Sequence, residues 1–545
     1  MQKVQKRKKE KQNIVKMSQI EYIKNVISKS TYVPKGKERM KNLFMGIDTG
    51  TQGVRVGIVN EEGVVLASCE KKWDTLFPQL KWAEQDPIKW WDNIKSAIED
   101  CLKQLSAEQR DWIISCAVCA TASTAVPVKI DGTPLANAIM WMDARSQGEM
   151  ELINQTQNPA LHYCGGQVSF EWLIPKVLWI KKNEPEIYKN AYRIVEQLDW
   201  INFQLSGVWT ASKCNATCKG NYCDVQGGFS DDFFKTIGFS DYREKIITDI
   251  KKPGEPIGKI RPELAERFGL NPGLVVVQGG VDAHIALLGM NAFAPGQMGI
   301  IMGTSFVHLS QVEQDPGDIK GIWGPYINPL IDGTWLLEGG QITASGLVNW
   351  FINNFHTPVD QSGNPYSCLS KAALTVPPGS QGLTVLDFFQ GNRTPYKDAN
   401  ARGVIYGLNI NHSWKHIYRA LIEGVSFGTR NIVENQVKQG FDVNFIVGCG
   451  GVTKDKVWMQ IISDILGKTI AVNEEEQAGV MGCCLLAASG GRCYKTIKEA
   501  ADAMVRFKEK YEPDMKIHQE YEKPYQRYLK LYQNLKKQMS DDQEE

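Results

Sequence analysis

A short polar turn between two apolar strands occurs in both halves of this chain, and this repeat restricts the folds that are compatible with it. In the first copy, Phe44 to Asn60, an apolar run leads into the turn Asp48 to Gly53, and an alternating apolar run follows. In the second copy, Gly299 to Ser310, the turn is Gly303-Thr304-Ser305. Apolar residues that recur with a period of two predict a β-hairpin in each copy. Two such units in two halves predict a duplicated α/β architecture.

The first turn has the composition of a phosphate-binding loop. Gly50 and Gly53 can adopt positive φ and bring backbone N–H groups close to an anion, and Thr49 and Thr51 add hydroxyls. Asp48 is suited to hold phosphate-bound Mg²⁺, which favours carboxylate oxygen. We therefore interpret the two turns as a clamp for the phosphates of a nucleotide. An ordinary surface hairpin is the alternative, and neither turn fits the Walker A or the dinucleotide-binding motif.

Candidate substrate and catalytic side chains follow predicted strands. Trp141, Asp143 and Arg145 combine an apolar surface with hydrogen-bond acceptors and donors, as a polyol site requires, although a simple salt bridge would also explain the acid and the arginine. Asp282 follows the apolar run 274–277 and precedes a helix predicted over 285–289. Ligands bind where strands of such sheets end. The alternative for Asp282 is a helix N-cap.

Two glycine-rich segments in the second half are candidate nucleotide contacts. Glu338-Gly339-Gly340-Gln341 follows a strand predicted over 335–337 and precedes a helix predicted over 342–355, and such a helix N-terminus can host an anion. Gly448 to Gly451 follows a strand predicted over 445–447 and opens a helix at about Asp455. Glycines there allow an adenine or a ribose to lie against the backbone, but glycine clusters alone are weak signals.

These segments, with others of the same order and spacing, resemble one known family. The further segments are EQDPIKWW (84–91), WMDAR (141–145), SFEWLIPKVLWIKKNEPE (169–186), GGVDAH (279–284), GIWGPY followed by EGGQ (321–341) and VGCGGVTKDKVWMQIISDILG (447–467). From about Leu43 to Tyr511 the chain resembles the FGGY carbohydrate kinases, and within them most closely the ribulokinase branch of the pentulose kinases. The acidic residue that this branch has near Ala120 is missing here, which leaves the sugar open.

The resemblance implies a fold and a domain organisation. It implies an α/β, two-domain actin-like ATPase (ribonuclease H-like) fold, duplicated, with a nucleotide and sugar cleft between the domains. We predict a disordered basic extension at 1–40. We further predict an N-terminal domain at 41–292 with the sugar site and the first phosphate loop, and a C-terminal domain at 293–515 with the second phosphate loop and the adenosine motif. A C-terminal helix and an acidic tail are predicted at 516–545.

The resemblance also implies the activity, the transfer of the γ-phosphate of ATP to a hydroxyl of a small sugar such as a pentulose. Asp282 would be the general base and Asp48 the Mg²⁺ ligand. The implied ATP contacts are Thr49, Gly50, Thr51, Gln52, Arg55, Gly303, Thr304, Ser305, Gly339, Gly450 and Gly451. The implied sugar contacts are Glu84, Thr121, Trp141, Asp143, Arg145, Asp282 and His284. Xylulose, a pentitol or another polyol is the alternative substrate, and a non-catalytic actin-like nucleotide switch is the alternative function.

Composition limits the partners and the compartment. The net charge is +1, with 62 basic and 61 acidic residues, which gives no electrostatic reason to expect nucleic acid. No run of about 18 strongly apolar residues predicts a membrane helix. The 13 cysteines are scattered, as expected for reduced thiols in a cytoplasmic enzyme. Two cysteine groups, Cys116 with Cys119 and Cys214 with Cys218 and Cys223, are weak zinc candidates, and a homodimer stays open.

Overall fold

Two mixed sheets with the same strand order at their centres organise the fold. The computed structural model describes residues 42–317, 319–355, 359 and 363–541, so the predicted extension at 1–40 lies outside the described residues. The larger sheet of the N-terminal half has the order β13-β14-β5-β1-β2-β3. The larger sheet of the C-terminal half has the order β17-β18-β16-β15-β21-β22-β23.

The N-terminal half alternates these strands with helices. Its strands are β1 Leu43–Gly50, β2 Gly53–Asn60, β3 Val65–Lys72, β4 Glu84–Gln85, β5 Ile113–Ala120, β6 Ala125–Val128, β7 Ala138–Ile139, β8 Arg193–Glu196, β9 Ala211–Ser212, β10 Tyr222–Cys223, β11 Gly228–Phe229, β12 Ile250–Lys251, β13 Pro256–Lys259 and β14 Val275–Val281. Its helices are α1 Pro87–Leu102, α2 Ala107–Asp111, α3 Gln147–Gln155, α4 Leu173–Asn183, α5 Pro185–Asn190, α6 Gln197–Ser206, α7 Lys213–Lys219, α8 Asp231–Thr236, α9 Tyr242–Lys245, α10 Pro262–Phe268 and α11 Asp282–Gly289.

The C-terminal half is built in the same way. Its strands are β15 Gln297–Met302, β16 Phe306–Val312, β17 Trp323–Ile327, β18 Trp335–Gln341, β19 Thr384–Leu386, β20 Val404–Tyr406, β21 Phe445–Cys449, β22 Ile470–Asn473 and β23 Phe507–Tyr511. Its helices are α12 Ser345–Asn354, α13 Pro365–Leu374, α14 Trp414–Lys438, α15 Lys456–Leu466, α16 Ala478–Gly490, α17 Ile497–Met504 and α18 Met515–Asp541.

Strand direction makes the duplication explicit. In the first sheet β1 pairs antiparallel with β2 and parallel with β5, and β14 continues the parallel part. In the second sheet β15 pairs antiparallel with β16 and parallel with β21, and β22 continues the parallel part. Both copies therefore have an antiparallel meander joined to parallel strands, which confirms the predicted duplicated α/β fold. The carboxyl ends of the parallel strands form the edge at which such sheets bind ligands.

The two predicted hairpins are confirmed, but the reason for the glycines in the first turn differs from the prediction. Neither Gly50 nor Gly53 has a φ in the left-handed region. A Cβ on Gly53 would lie 2.2 Å from the backbone oxygen of Lys71, so this glycine permits close approach of β3. At Gly50 a Cβ would have open space around it, with the Gly53 oxygen 4.0 Å away.

Two predicted loops belong to strands. Strand β14 extends to Val281, so Asp282 directly follows the strand and is the first residue of α11. Strand β18 extends to Gln341 and pairs with β16 along its length. The segment Glu338 to Gln341 is therefore part of this strand, and α12 begins only at Ser345. Gly339 therefore does not lie at a helix N-terminus, contrary to the prediction, and its contact with ATP stays a prediction.

Helix α16 joins the two halves. All but one of its residues are buried, as expected for a helix that is apolar around its whole circumference. Although it follows β22 of the second sheet in sequence, it packs on the first sheet, where Ser115 Oγ of β5 donates to the Ala487 oxygen (2.7 Å). It also crosses α11, and a Cβ on Gly482 would lie 2.1 Å from the Ile285 oxygen.

The C-terminal helix α18 packs on the second half through a face rich in tyrosine. Tyr521, Tyr525, Tyr528 and Tyr532 are all buried there. None of the helices in the described part of the chain combines the length and the apolar character that a bilayer crossing requires.

Candidate active site

One cavity of about 420 Å³ lies between the two sheets and collects residues from both halves. Its walls come from the β1–β2 turn, the segment after β5, the start of α11, the β15–β16 turn, β18 and the start of α16. The parallel strands β5, β14 and β21 all end at this cavity, so sheet topology places these side chains together.

The first turn contributes a mostly buried carboxylate to the cavity. Asp48 accepts a hydrogen bond from Cys119 Sγ (3.2 Å), and Arg55 Nη1 lies 3.8 Å from its Oδ2. Burial raises the pKa of Asp48, and the thiol and the arginine offset this only in part. A cation beside this carboxylate would stabilise its ionised form.

Asp282 lies at the start of α11 on the wall of the same cavity. Its Oδ1 accepts a hydrogen bond from the Ala283 amide (2.7 Å). Burial, and then repulsion from Asp48, raise the pKa of Asp282 to about 7. A carboxylate with this pKa can accept a proton near neutral pH, which is the requirement for a general base.

A buried charged chain lies next to Asp282. His284 Nε2 is 3.4 Å from Glu338 Oε2, and Lys219 Nζ lies 3.0 Å from the same oxygen. Burial would raise the pKa of Glu338, but Lys219 and His284 outweigh it and lower the pKa well below its usual range. This chain links α7, α11 and β18 across the two halves.

The segment after β5 forms the opposite wall. Thr121 Oγ1 hydrogen bonds to Thr124 Oγ1 (2.9 Å) and to Gln197 Oε1 (2.8 Å). Ser123 lines the cavity, but its hydroxyl oxygen is buried and has no hydrogen-bond partner within the described structure. Trp141 adds an indole face, and its Nε1 donates to Thr51 Oγ1 (3.0 Å), which connects this wall to the first turn.

The second turn and the glycine-rich segment lie on the far side. Ser305 and Gly450 line the cavity. Gly450 has φ 101°, and a Cβ there would lie 2.6 Å from the Met302 oxygen, so only glycine allows this segment to pack against the second turn. At Gly451 a Cβ would meet nothing within 4 Å, which leaves room beside the backbone for a flat group.

The N-terminus of α16 points at the cavity. Residues Glu476 to Gly479 line it, and a Cβ on Gly479 would lie 2.6 Å from Asp48 Oδ2. The unpaired N–H groups and the dipole of a helix N-terminus favour an anion there. The sequence alone did not single out this helix as part of the phosphate side.

About half of the predicted site residues line the cavity. Those that do are Asp48, Gly50, Thr51, Arg55, Thr121, Trp141, Asp282, His284, Ser305 and Gly450. The predicted contacts Thr49, Gln52, Gly303, Thr304, Gly339, Gly451, Glu84, Asp143 and Arg145 are not among its lining residues.

Local hydrogen bonds explain several of these departures. The hydroxyl of Thr49 is fully buried and donates to the Cys119 oxygen (2.7 Å), so it ties β1 to β5. Gln52 is exposed at the tip of the first turn, and Thr304 is exposed at the tip of the second. The amide of Gly303 donates to the Ser305 oxygen (3.1 Å) and is thus engaged within the turn.

Glu84, Asp143 and Arg145 form a separate cluster of charged side chains. Arg145 Nη2 is 2.8 Å from Asp143 Oδ2 and 2.8 Å from Glu84 Oε1. The guanidinium carbon also lies 3.6 Å from the centroid of the Trp82 ring. The salt bridge of the alternative interpretation is therefore present, and Glu84 and Arg145 line a different, smaller cavity. Sugar contact by these three residues stays a prediction.

Other lining residues were missed. Glu171, Trp172, Lys219 and Arg393 line the cavity, as does Glu338, which belongs to a segment proposed as a nucleotide contact. Lys219 is the last residue of α7. Buried Lys176 stands behind the wall, and its Nζ donates to the oxygens of Ser123 (2.9 Å), Trp141 (3.2 Å) and Glu171 (2.6 Å). No local sequence signal distinguishes such a lysine from an exposed one.

Two family models match consecutive parts of the chain. The N-terminal domain of the FGGY family of carbohydrate kinases matches residues 43–289. The C-terminal domain of the same family matches residues 298–490. Together these matches include both turns and every element that contributes to the cavity.

Curated proteins and solved structures agree with this match. The chain is 28% identical over 542 residues to an FGGY carbohydrate kinase domain-containing protein of Homo sapiens, covering 92% of this chain and 98% of that one. It is 30% identical over 533 residues to a ribulokinase of Halalkalibacterium halodurans, covering 90% and 94%. In fold it resembles a xylulose kinase from Rhodospirillum rubrum, with a TM-score of 0.81 and 23% identity over 92% and 100% of the chains.

Proposed function

The chain belongs to the FGGY family of carbohydrate kinases, which phosphorylate an alcohol group, and from this premise we propose that its substrate is a pentulose, with ribulose as the first candidate. The support for ribulose is the 30% identity to a curated ribulokinase over almost the whole of both chains. A pentulose also suits a cavity that has polar groups on one wall and indole faces on another.

The observation that carries the proposal is the position of Asp282. A half-buried carboxylate whose pKa is raised to about 7 lines the cavity that also contains Asp48 and residues of both turns. Asp282 would accept the proton of the attacking sugar hydroxyl as its oxygen approaches the γ-phosphorus. In phosphoryl transfer such a base mainly orients the nucleophile, so placement matters as much as pKa.

Asp48 would hold Mg²⁺ on the phosphates of ATP. Its partly satisfied carboxylate, whose pKa is raised by burial, fits a hard cation with oxygen ligands. When bound, Mg²⁺ neutralises charge on the phosphates. Gly479 leaves the space beside Asp48 Oδ2 free of a side chain.

The phosphates would lie between the first turn and the start of α16. Thr51 and Ser305 offer hydroxyls, Arg55 offers a positive charge, and the amides at the start of α16 favour an anion. Gly450 lines the side of the cavity that suits the adenosine. Because these donors are fixed before ATP binds, little reorganisation is required during transfer.

The sugar would lie on the side of Asp282 that Ser123, Trp141 and Glu338 enclose. Glu338, held ionised by Lys219 and His284, can accept a hydrogen bond from a sugar hydroxyl. Ser123 and Trp141 line the cavity beside it. Near Ala120 this chain lacks the acidic residue of the ribulokinase pattern, so xylulose, a pentitol or another polyol is the alternative substrate.

A coupled assay of ADP release tests the substrate. Pentuloses, hexuloses and polyols are compared at equal Mg²⁺ and ATP concentrations, and we expect the highest kcat/KM for ribulose. A hexulose or a polyol with a higher kcat/KM would contradict the proposed substrate class. ADP release that no sugar or polyol stimulates would favour the nucleotide switch instead.

The Asp282→Asn variant tests the base. We expect turnover to fall at least about a hundredfold, the lower range for general base catalysis, while ribulose still binds in calorimetry. Asp387→Asn is the matched control, because Asp387 is also a buried aspartate with a pKa raised by burial, to about 6, and does not line the cavity. Near-normal turnover in Asp282→Asn would remove the assignment.

A further inference from the structure

Two cysteines and a histidine converge behind the wall of the cavity. Cys214 and Cys218 lie four residues apart on α7 and therefore share one face of the helix. His284 of α11 faces them, and the ligand atoms of the three side chains all lie within 4.8 Å of one another. Cys214 and Cys218 are fully buried and His284 is 1% exposed. The kinase chemistry described above requires neither cysteine.

The spacing of these atoms fits tetrahedral coordination. Cys214 Sγ is 3.4 Å from His284 Nδ1. Metal–ligand distances of about 2.3 Å to sulfur and 2.0–2.1 Å to nitrogen at a tetrahedral angle require a sulfur–nitrogen separation of roughly 3.5 Å. The pair therefore needs almost no movement to share one ion.

The other ring nitrogen of His284 has a carboxylate partner, as metal-binding histidines usually do. His284 Nε2 is 3.4 Å from Glu338 Oε2. A carboxylate on the other ring nitrogen fixes the orientation of the ring and leaves Nδ1 available as a ligand. Glu338 is itself fixed by Lys219, whose Nζ is 3.0 Å away.

From this geometry we propose that Cys214, Cys218 and His284 form a binding site for a thiophilic metal ion, with Zn²⁺ as the expected occupant. Two thiolates and an imidazole are ligands that suit Zn²⁺ and that Mg²⁺ disfavours. The site is therefore distinct from the one at Asp48. Binding releases the protons of both thiols and any proton on Nδ1, so affinity increases with pH.

The cluster is adjacent to the groups assigned to phosphoryl transfer. His284 is two residues from Asp282 on α11, and both residues line the cavity.

Spectroscopy tests the site independently of kinase activity. The reduced, chelator-treated full chain is titrated with Co²⁺, which reports thiolate ligands through charge-transfer bands in the near ultraviolet, and Zn²⁺ is then added as competitor. We expect one equivalent of Co²⁺ to give these bands and Zn²⁺ to abolish them. No such band at one equivalent would overturn the proposal.

Variants locate the ion. Cys218→Ser should weaken Zn²⁺ binding and reduce the charge-transfer intensity, whereas Cys101→Ser, which replaces a buried cysteine of α1, should change neither. Glu338→Gln should weaken Zn²⁺ affinity by roughly 10–100-fold, the range for loss of the partner of a metal-binding histidine. Full intensity in both Cys214→Ser and Cys218→Ser would refute the site.

A measurement on the wild-type chain tests the site even if the variants fail to fold. X-ray absorption at the zinc edge counts the neighbours of the ion directly. Two sulfur neighbours and at least one imidazole nitrogen are expected, and fewer than two sulfurs would contradict the assignment.

Discussion

Asp282 and Asp48 share one cavity, and their interaction makes the chemistry sensitive to pH. Burial and the charge of Asp48 raise the pKa of Asp282 to about 7. A base must be deprotonated to act, so kcat/KM for the sugar should fall as pH decreases through about 7, with unit slope on a logarithmic plot. The pH profile of kcat/KM measures this, because it reports on the free enzyme.

Two variants check the origin of that acid limb. Asp282→Glu keeps a carboxylate, so its kcat/KM should still decrease at low pH. The residual kcat/KM of Asp282→Asn should not depend on pH in this range. Asp387→Asn should leave the profile unchanged, because Asp387 is bonded by Gln341 and Tyr528 outside the cavity. If kcat/KM of Asp282→Asn still decreases as pH falls through about 7, the titrating group is not Asp282.

Lys176 organises the sugar wall without lining the cavity. Its buried ammonium donates to the backbone oxygens of Ser123, Trp141 and Glu171, and all three residues line the cavity. Lys176→Met leaves these oxygens without their donor, so we expect unfolding free energy to decrease by about 1–3 kcal/mol and KM for the sugar to increase. Calorimetry and steady-state kinetics measure the two effects.

The matched control for Lys176 lies on the same helix. Lys182 is 69% exposed in its side chain, so Lys182→Met should change stability by less than about 0.5 kcal/mol and leave KM unaffected. An unchanged KM in Lys176→Met would show that the wall keeps its shape without the ammonium.

Residue type and position predicted the groups at strand ends but not their partners. Asp48 lies near the end of β1 and Asp282 directly follows β14, two strands that end at the same edge of one sheet, and both residues line the cavity. Asp143 and Arg145 have the same appearance in sequence, yet Glu84 and Trp82 satisfy them. Those partners come from a distant segment, so only the three-dimensional fold distinguishes a substrate site from a salt bridge.

At the scale of elements, the crossing of α11 and α16 controls the position of the proposed base. A Cβ on Gly482 would lie 2.1 Å from the Ile285 oxygen, and α11 begins with Asp282. Gly482→Ala therefore must separate the helices, and we expect a loss of about 1–3 kcal/mol in unfolding free energy together with reduced kcat. Thermal unfolding and kinetics measure both.

A second glycine provides the control for that crossing. Gly148 is exposed within α3, and a Cβ there would meet nothing within 4 Å. Gly148→Ala should keep kcat and leave stability unchanged or slightly increased, because alanine favours a helix over glycine. Equal losses in the two variants would argue against a specific role for the crossing.

Elements with strong periodicity were predictable and their ends were not. The two hairpins and α14 follow directly from apolar spacing. The ends of β14 and β18 were placed too early, because glycines after the apolar core were interpreted as loops. Pairing with β5 and β16 keeps these glycines in the strands, and that pairing is not visible in local sequence.

At the scale of the whole molecule, the duplicated turns predicted two related sheets, but they did not predict that the two halves share one apolar core. One apolar core contains residues of both halves, including Phe44, Val277, Leu287 and Leu485. Helix α16 belongs in sequence to the second half and covers the first sheet, where Cys484 Sγ lies 3.6 Å from the Phe44 oxygen. The predicted boundary at 292 therefore separates the first sheet from one of its covering layers.

This dependence leads to a prediction about the isolated N-terminal half. A chain of residues 41–292 lacks α16, so the faces of β1 and β5 that Val480 and Ala487 cover become exposed to water. In calorimetry, the full chain, in which α16 stabilises the N-terminal half, should show a cooperative unfolding transition. The fragment should show no such transition and should bind a hydrophobic dye such as ANS. A fragment that unfolds cooperatively without binding the dye would mean that the first sheet is stable without α16 packed on it.

In that case the cavity would be an interface between two independently folded domains, and Gly482→Ala should affect kcat without affecting the stability of the first half.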